Sequence, residues 1–164
     1  MNGLLIGRFQ PFHLGHLEAF RFGLSKVDKL WIGIGSSNKP SEKNNPFNSD
    51  ERKEMILSSI DDSIRNQIQI FYIPDMDNHE KWIENIDSIV PEFDVVFTND
   101  KLTQSLYSNR GKKIIEVIFK ERETLSGTNI REKIVSDQDW NNLVPKGTKT
   151  VLEKIDAKNR LKFL

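Results

Sequence analysis

The sequence contains no cysteine, so no disulfide framework braces the fold and no thiolate is available to a metal. Histidine is scarce too, with only His13, His16 and His79. A zinc site would need a carboxylate and a distant third ligand to reach its usual coordination, and no protein-built metal site is expected. No apolar run approaches the roughly 18 residues that a membrane-spanning helix needs. The chain opens on a strand-like run without the charged region, hydrophobic region and cleavage site of a secretion signal. A cytoplasmic location with no membrane partner is the expectation. Lys plus Arg and Asp plus Glu number 24 each, so the formal net charge is zero. No global field draws in nucleic acid, and any anion binding must be local. Two common nucleotide signatures are also missing, the G-x-G-x-x-G turn after the first strand and the G-x-x-x-x-G-K-[ST] loop. A conventional dinucleotide dehydrogenase and a P-loop kinase are thereby disfavoured.

What is present is an alternation of buried runs and helical stripes. The 164 residues are expected to form one domain over 1–164, long enough to bury a sizeable core. Leu4-Leu5-Ile6 reads as a strand and Leu14 to Leu24 as a helix. Leu30 to Ile34 is apolar enough for burial on both faces, which favours a parallel sheet. Ser36 to Asn48 is a polar loop, either a lid or a linker, and Asn48 with Glu51 signals a capped helix. Further strands are predicted at 68–73, 93–98 and 114–119, with helices at 80–90 and 99–107 and a charged connection over 120–125. Apolar residues from Trp140 to Phe163 are expected in the core or at a subunit contact, and a homo-oligomer is expected. The pattern predicts an α/β fold with a doubly wound parallel sheet and right-handed crossovers, whose ligands bind beyond the carboxyl ends of the strands.

Between the first strand and first helix stands Gly7-Arg8-Phe9-Gln10-Pro11-Phe12-His13-Leu14-Gly15-His16. Gly7 and Gly15 let backbone approach a ligand, and Pro11 stiffens the connection. His13 and His16 lie at the helix start, where free N–H groups and the dipole favour an anion. Two imidazoles and a helix N-terminus at one spot describe a phosphate site. Far along the chain, Ser126-Gly127-Thr128-Asn129-Ile130-Arg131 repeats the logic, with Ser126 and Thr128 able to cap a helix that carries a guanidinium.

These two elements resemble the H-x-G-H and Ser-Gly-Thr-x-hydrophobic-Arg motifs of the nucleotidyltransferase superfamily. The Gly-Arg-Phe-Gln-Pro-Phe context narrows the resemblance to archaeal-type nicotinamide-mononucleotide adenylyltransferases. Pro46-Phe47 with Glu51-Arg52 is similar to the same family's Pro-Phe-x-x-x-Glu-Arg element, and 74–82 is similar to its acceptor loop. The resemblance implies a Rossmann-like nucleotidyltransferase fold of the HUP type. It also implies transfer of the adenylyl group of ATP to nicotinamide mononucleotide, giving NAD and pyrophosphate. It assigns His13, His16 and Arg131 to catalysis, and Gly7, Arg8, Phe9, Arg52, Ser126 and Thr128 to ATP. The acceptor would meet Asp77, Trp82 and Asp100, with Trp82 as a flat platform for the pyridinium ring. Asp100 stands where the family tends to carry asparagine. Mg2+ is expected, held mainly through ATP phosphates and water. Two alternatives stay open: an adenylyltransferase for another phosphorylated acceptor such as phosphopantetheine, and a nucleotide-binding sensor without turnover.

Overall fold

The computed structural model describes residues 1–119 and 121–164; Lys120, at the start of the expected charged connection, lies outside them. The strands are β1 (Asn2–Gly7), β2 (Lys29–Ile34), β3 (Ile68–Tyr72), β4 (Val95–Phe97) and β5 (Lys113–Ile115). They form one sheet in the order β3-β2-β1-β4-β5, every neighbouring pair parallel. The chain winds outward from β1 to β3, then returns to lay β4 on the free side of β1. That reversal opens a crevice at the carboxyl ends of β1 and β4.

Helices α1 (Leu14–Leu24), α2 (Ser49–Ser59), α3 (Asp62–Arg65), α4 (His79–Ile89), α5 (Lys101–Ser108), α6 (Gly127–Val135), α7 (Lys146–Lys154) and α8 (Ala157–Lys162) complete the fold. Alternation along β1 divides them between two faces. Leu4 packs with Ile83 and Ile86 of α4 and Tyr107 of α5. Leu5 belongs to the larger cluster of Phe20 from α1, Met55 from α2, Ile130 from α6 and Val151 from α7. A slip of one residue in β1 would send both leucines into the wrong cluster, so the register is tightly specified.

Three features depart from the sequence-based expectation. Strands β4 and β5 are shorter than predicted, because beyond Ile115 a side chain replaces the ladder. Asn99 donates from Nδ2 to the Val117 carbonyl and accepts from the Val117 N–H, each at 2.7 Å. The short helix α3 was not foreseen; it starts where Asp61 accepts from the Ile64 N–H at 2.9 Å. The 36–48 segment is anchored at both ends, by the Ser37 N–H on the Ile73 carbonyl at 3.1 Å and by burial of Asn45 to Phe47, with residues 38–44 exposed between.

Helix α1 begins on an unusual cap. Nδ1 of His13 accepts from the Gly15 N–H at 3.1 Å, and Nδ1 of His16 accepts from the His13 N–H at 3.1 Å. Both rings must then carry their proton on Nε2. Burial pushes His13 down to about 4. Burial and then the neighbouring His13 ring push His16 well below the usual histidine range. The neutral forms are therefore the native ones, and their stabilising contribution is complete above the unfolded value near pH 6.5 and is lost as pH falls through about 4. We expect the parent to lose about 2–3 kcal/mol of unfolding free energy from His13 alone between about pH 7 and pH 4.5. In His13→Asn, whose amide caps without titrating, the pH slope should be shallower by about that amount. Urea melts at the two pH values check this; parallel slopes in both proteins would refute it.

Candidate active site

At the end of β1 the chain cannot enter α1 directly, and the turn from Arg8 to His13 is held by side chains. Phe9 adopts a φ of 52°, a conformation that costs a non-glycine residue of order 1 kcal/mol or more. Its ring offsets that cost by burial against Phe12 and Phe20, edge-on to His16 with centroids 4.8 Å apart. Phe9 was expected to touch ATP, but its ring is 1% exposed and supports His16 from behind. The His13 and His16 rings stack at 3.6 Å between centroids. Gly15 must lack a side chain, because a Cβ there would meet Cε1 of His13 at 2.9 Å.

Arg52 makes the densest set of internal bonds among the expected site residues. Expected among the ATP phosphates, its side chain is almost wholly buried in α2. It donates to the carbonyls of Arg8 at 2.8 Å, Gly35 at 2.7 Å and Asn48 at 3.3 Å, and to Ser36 O and Ser49 Oγ at longer range. All five of its N–H donors are matched by these bonds. It ties the carboxyl ends of β1 and β2 to the start of α2, and its effect on a ligand passes through the backbone it holds.

Ser126 caps α6 by accepting from the Asn129 N–H at 3.1 Å. Arg131, one turn on, donates to the Gln10 carbonyl at 2.6 Å and to Thr128 Oγ1 at 3.4 Å. Gly127 permits this approach, since a Cβ would lie 2.8 Å from both the guanidinium and that carbonyl. The exposed Arg8 sits close enough to depress both Arg52 and Arg131, in each case after burial as the larger cause. Three guanidiniums thus converge in a chain of zero net charge. The local anion attraction that the composition left open is built here.

Beside this cluster the crevice widens into a cavity of about 910 Å³ lined by Gly7, Arg8, Asp77, Trp82 and Asp100 among others. Trp82 belongs to α4, half-buried, with part of its surface on the smaller core cluster and part on the cavity. Asp100 caps α5, its Oδ2 accepting from the Thr103 N–H at 2.9 Å and from Thr103 Oγ1 at 2.7 Å. Those two bonds hold its carboxyl below the usual range, and it faces the cavity ionised. The sequence-predicted residues therefore fall into two groups, one of His13, His16, Ser126, Thr128 and Arg131 at the starts of α1 and α6 and one at the cavity, with Arg8 lining the cavity and close enough to Arg131 to depress it. Ser36 and Arg122 also line the cavity and were not foreseen, and Asp75 and His79 line it from the expected acceptor loop without having been singled out there. Ser36 Oγ donates to Asp75 Oδ1 at 3.0 Å. Gln10 was missed as well: its buried amide donates to Asn45 Oδ1 at 2.6 Å and Phe47 O at 2.9 Å and accepts from the Phe47 N–H at 3.0 Å. The one sequence signal for it is a polar residue set inside Phe-x-Pro-Phe.

A cytidylyltransferase-like family profile matches residues 4–133. The nicotinamide-nucleotide adenylyltransferase of Thermococcus sibiricus is 37% identical over 100% of this chain and 89% of its own. That of Methanococcus aeolicus is 35% identical over 100% of this chain and 95% of its own. Among solved structures, a bifunctional NMN adenylyltransferase/ADP ribose pyrophosphatase from Francisella tularensis superposes with a TM-score of 0.78 at 23% identity, over 97% of this chain. This chain spans 51% of that protein's length, and the likeness is one of fold. With the sheet order, the paired histidines and full-length relatives in agreement, the chain belongs to the nicotinamide-nucleotide adenylyltransferase family of cytidylyltransferase-like proteins.

Proposed function

We propose that this protein transfers the adenylyl group of ATP to nicotinamide mononucleotide, releasing pyrophosphate and forming NAD. The observation that carries the reading is the adjacency, through Arg8, of the Arg131 guanidinium to a cavity lined by the Trp82 indole and the Asp100 carboxylate. A phosphate oxygen of the acceptor attacks the α-phosphorus of ATP, and the bond to the β-phosphate oxygen breaks to release pyrophosphate. The attacking phosphate is already ionised at neutral pH, so no side chain has to remove a proton. Catalysis is then orientation and stabilisation of charge.

The residues divide that work by chemistry. His13 and His16, neutral with Nε2–H outward from their caps, supply directional hydrogen bonds to the transferring phosphate without adding charge. Arg8 and Arg131 supply the charge, and Ser126 and Thr128 set the helix N-terminus that faces the phosphates. Arg52 positions the backbone of Arg8 and Gly35. Trp82 offers stacking and cation–π attraction to the pyridinium ring. Among the described residues no group of three His, Asp or Glu side chains is gathered as a metal cage. A divalent ion such as Mg2+ fits this donor set as a partner of the ATP phosphates, where it would offset their negative charge.

The reading is tested by pyrophosphate release from ATP with a panel of phosphorylated acceptors. Nicotinamide mononucleotide should be used and phosphopantetheine should not; release with phosphopantetheine alone would favour a different acceptor branch, and ATP binding without release would favour a sensor. His16→Ala should lower kcat by about 10²–10³-fold with ATP affinity changed only a few-fold, by analogy with loss of one oxyanion donor. A kcat within about threefold of the parent in a folded variant would sink the assignment.

Asp100 yields a selectivity prediction. Its Oδ1 is free of the cap bonds, and an ionised carboxylate only accepts, which suits the NH₂ of nicotinamide and opposes the carboxylate of nicotinate mononucleotide. Two like charges about 6 Å apart at an effective dielectric near 20 repel by roughly 3 kcal/mol, reduced by solvent to about 1. The parent should prefer the amide by about fivefold or more in kcat/KM, and Asp100→Asn, which keeps the helix cap, should shrink that ratio. Asn99 offers no substitute, since both ends of its amide are engaged by Val117. Equal ratios in the two proteins would remove Asp100 from the acceptor ring.

A further inference from the structure

The family match ends at residue 133, yet the segment beyond it reaches back onto the nucleotide half of the site. Arg160 of α8 meets Glu51 of α2 through a two-point pairing, Nη1 to Oε1 at 2.6 Å and Nη2 to Oε2 at 2.8 Å, and also donates to the Pro46 carbonyl at 3.3 Å. Both side chains are largely withdrawn from water, Glu51 to 14% exposure. Paired, charge-assisted bonds of this kind fix geometry more strictly than a lysine pair can. The pairing also raises the Arg160 guanidinium above its usual range.

What distinguishes this ion pair is where its two acceptors lie. The same Oε1 of Glu51 accepts from the Asn48 N–H at 2.9 Å and so closes the capping box of α2. Pro46 and Asn48 flank Phe47, whose backbone grips both ends of the Gln10 amide. The Gln10 carbonyl in turn seats Arg131. Arg52, next to Glu51, holds the carbonyls of Arg8 and Gly35. The links of this chain are hydrogen bonds of 2.6–3.3 Å joined through the covalent neighbours Pro46-Phe47-Asn48 and Glu51-Arg52. Helix α8 itself is held from below by buried Ala157 and by the Lys158–Asp137 pair at the end of α6, so it braces both α6 and the start of α2.

We propose that Arg160 is a positioning residue for ATP, acting through Glu51 and Pro46 on the seats of Arg131 and Arg8. The inference rests on the ATP reading above. A second link between the C-terminal helices and α2 provides the control: Lys154 pairs with Glu54 at 3.0 Å, both side chains solvent-exposed and, among the described residues, without a side-chain hydrogen bond from either to a site residue.

The experiment compares Arg160→Ala, Arg160→Lys and Lys154→Ala with the parent, measuring KM for ATP and for nicotinamide mononucleotide, and ATP affinity by direct titration. Arg160→Ala should raise the ATP KM about 3- to 20-fold and weaken titrated ATP alike, with the mononucleotide KM within about twofold. Arg160→Lys, which keeps the charge and one donor, should recover part of that loss. Lys154→Ala should behave as the parent in both constants. If Arg160→Ala does not fold, the Lys variant decides by the same split. An unchanged ATP affinity, an equal rise in both KM values, or the same effect from Lys154→Ala would overturn the proposal and reduce Arg160 to a stabilising contact. A parent that binds ATP but never releases pyrophosphate would instead overturn the catalytic reading, while the titration would still decide the role of Arg160.

Discussion

Between Arg8 and His13 the chain has left the sheet and not yet entered a helix, and most of this turn is buried. Its peptide groups have no ladder to join, and leaving them unpaired would cost about 1–3 kcal/mol each. Three of them are met by side chains: Arg8 O by Arg52, Gln10 O by Arg131, and the His13 N–H by His16. The Gln10 side chain completes the set by binding the backbone of Phe47. Satisfying one short turn thereby pulls α1, α2 and α6 to a common point. The anion site is a consequence of that requirement, because two of the groups that can satisfy buried carbonyls so completely are arginines.

The convergence carries an electrostatic cost that the fold tolerates. Burial depresses Arg52 and Arg131, and the neighbouring Arg8 adds to the effect in each. No carboxylate is paired with any of the three by a close salt bridge among the described residues. Arg52 keeps its charge by spending its donors on backbone oxygen, which hydrates it from within the protein. The unpaired positive potential falls on Arg8 and Arg131, the two with surface towards solvent. A polyphosphate arriving there would relieve repulsion as well as form bonds, so the local potential favours anions in a protein with no net charge.

Much of this was legible before any coordinates. The start and end of α1, the capping box at Asn48 and Glu51, and the order of strands and helices follow from periodicity and cap residues, which are local signals. The limits of β4 and β5 were not, because strand length there depends on Asn99 reaching a residue 18 positions away. Motif position located Arg52 and Phe9 near the site, whereas the internal bonds and burial they have there could not be read from it. A residue type tells which bonds a side chain can make, whereas which partner it meets is settled by long-range packing. Gln10, Asp75 and His79 lie inside the recognised motifs but received no role of their own for the same reason, since a motif does not say which partner each side chain meets.

The protonation state of the histidine pair shows how a structural demand can set a chemical one. In an exposed H-x-G-H the rings would titrate near the physiological range and could bind phosphate as cations. Here each Nδ1 is committed to an N–H of the helix start, and a proton on that nitrogen would break the cap. The rings are thus confined to one tautomer with the remaining proton on Nε2. A cationic pair stacked at 3.6 Å would repel itself, and the burial that Phe9 and Phe12 provide makes charging costlier still. Under the proposed function a division of labour follows: guanidiniums, which cannot lose charge, would attract the triphosphate, and neutral imidazoles, which cannot readily gain it, would orient the reacting group. The same cap that starts α1 would then also fix the donors that the proposed transfer requires.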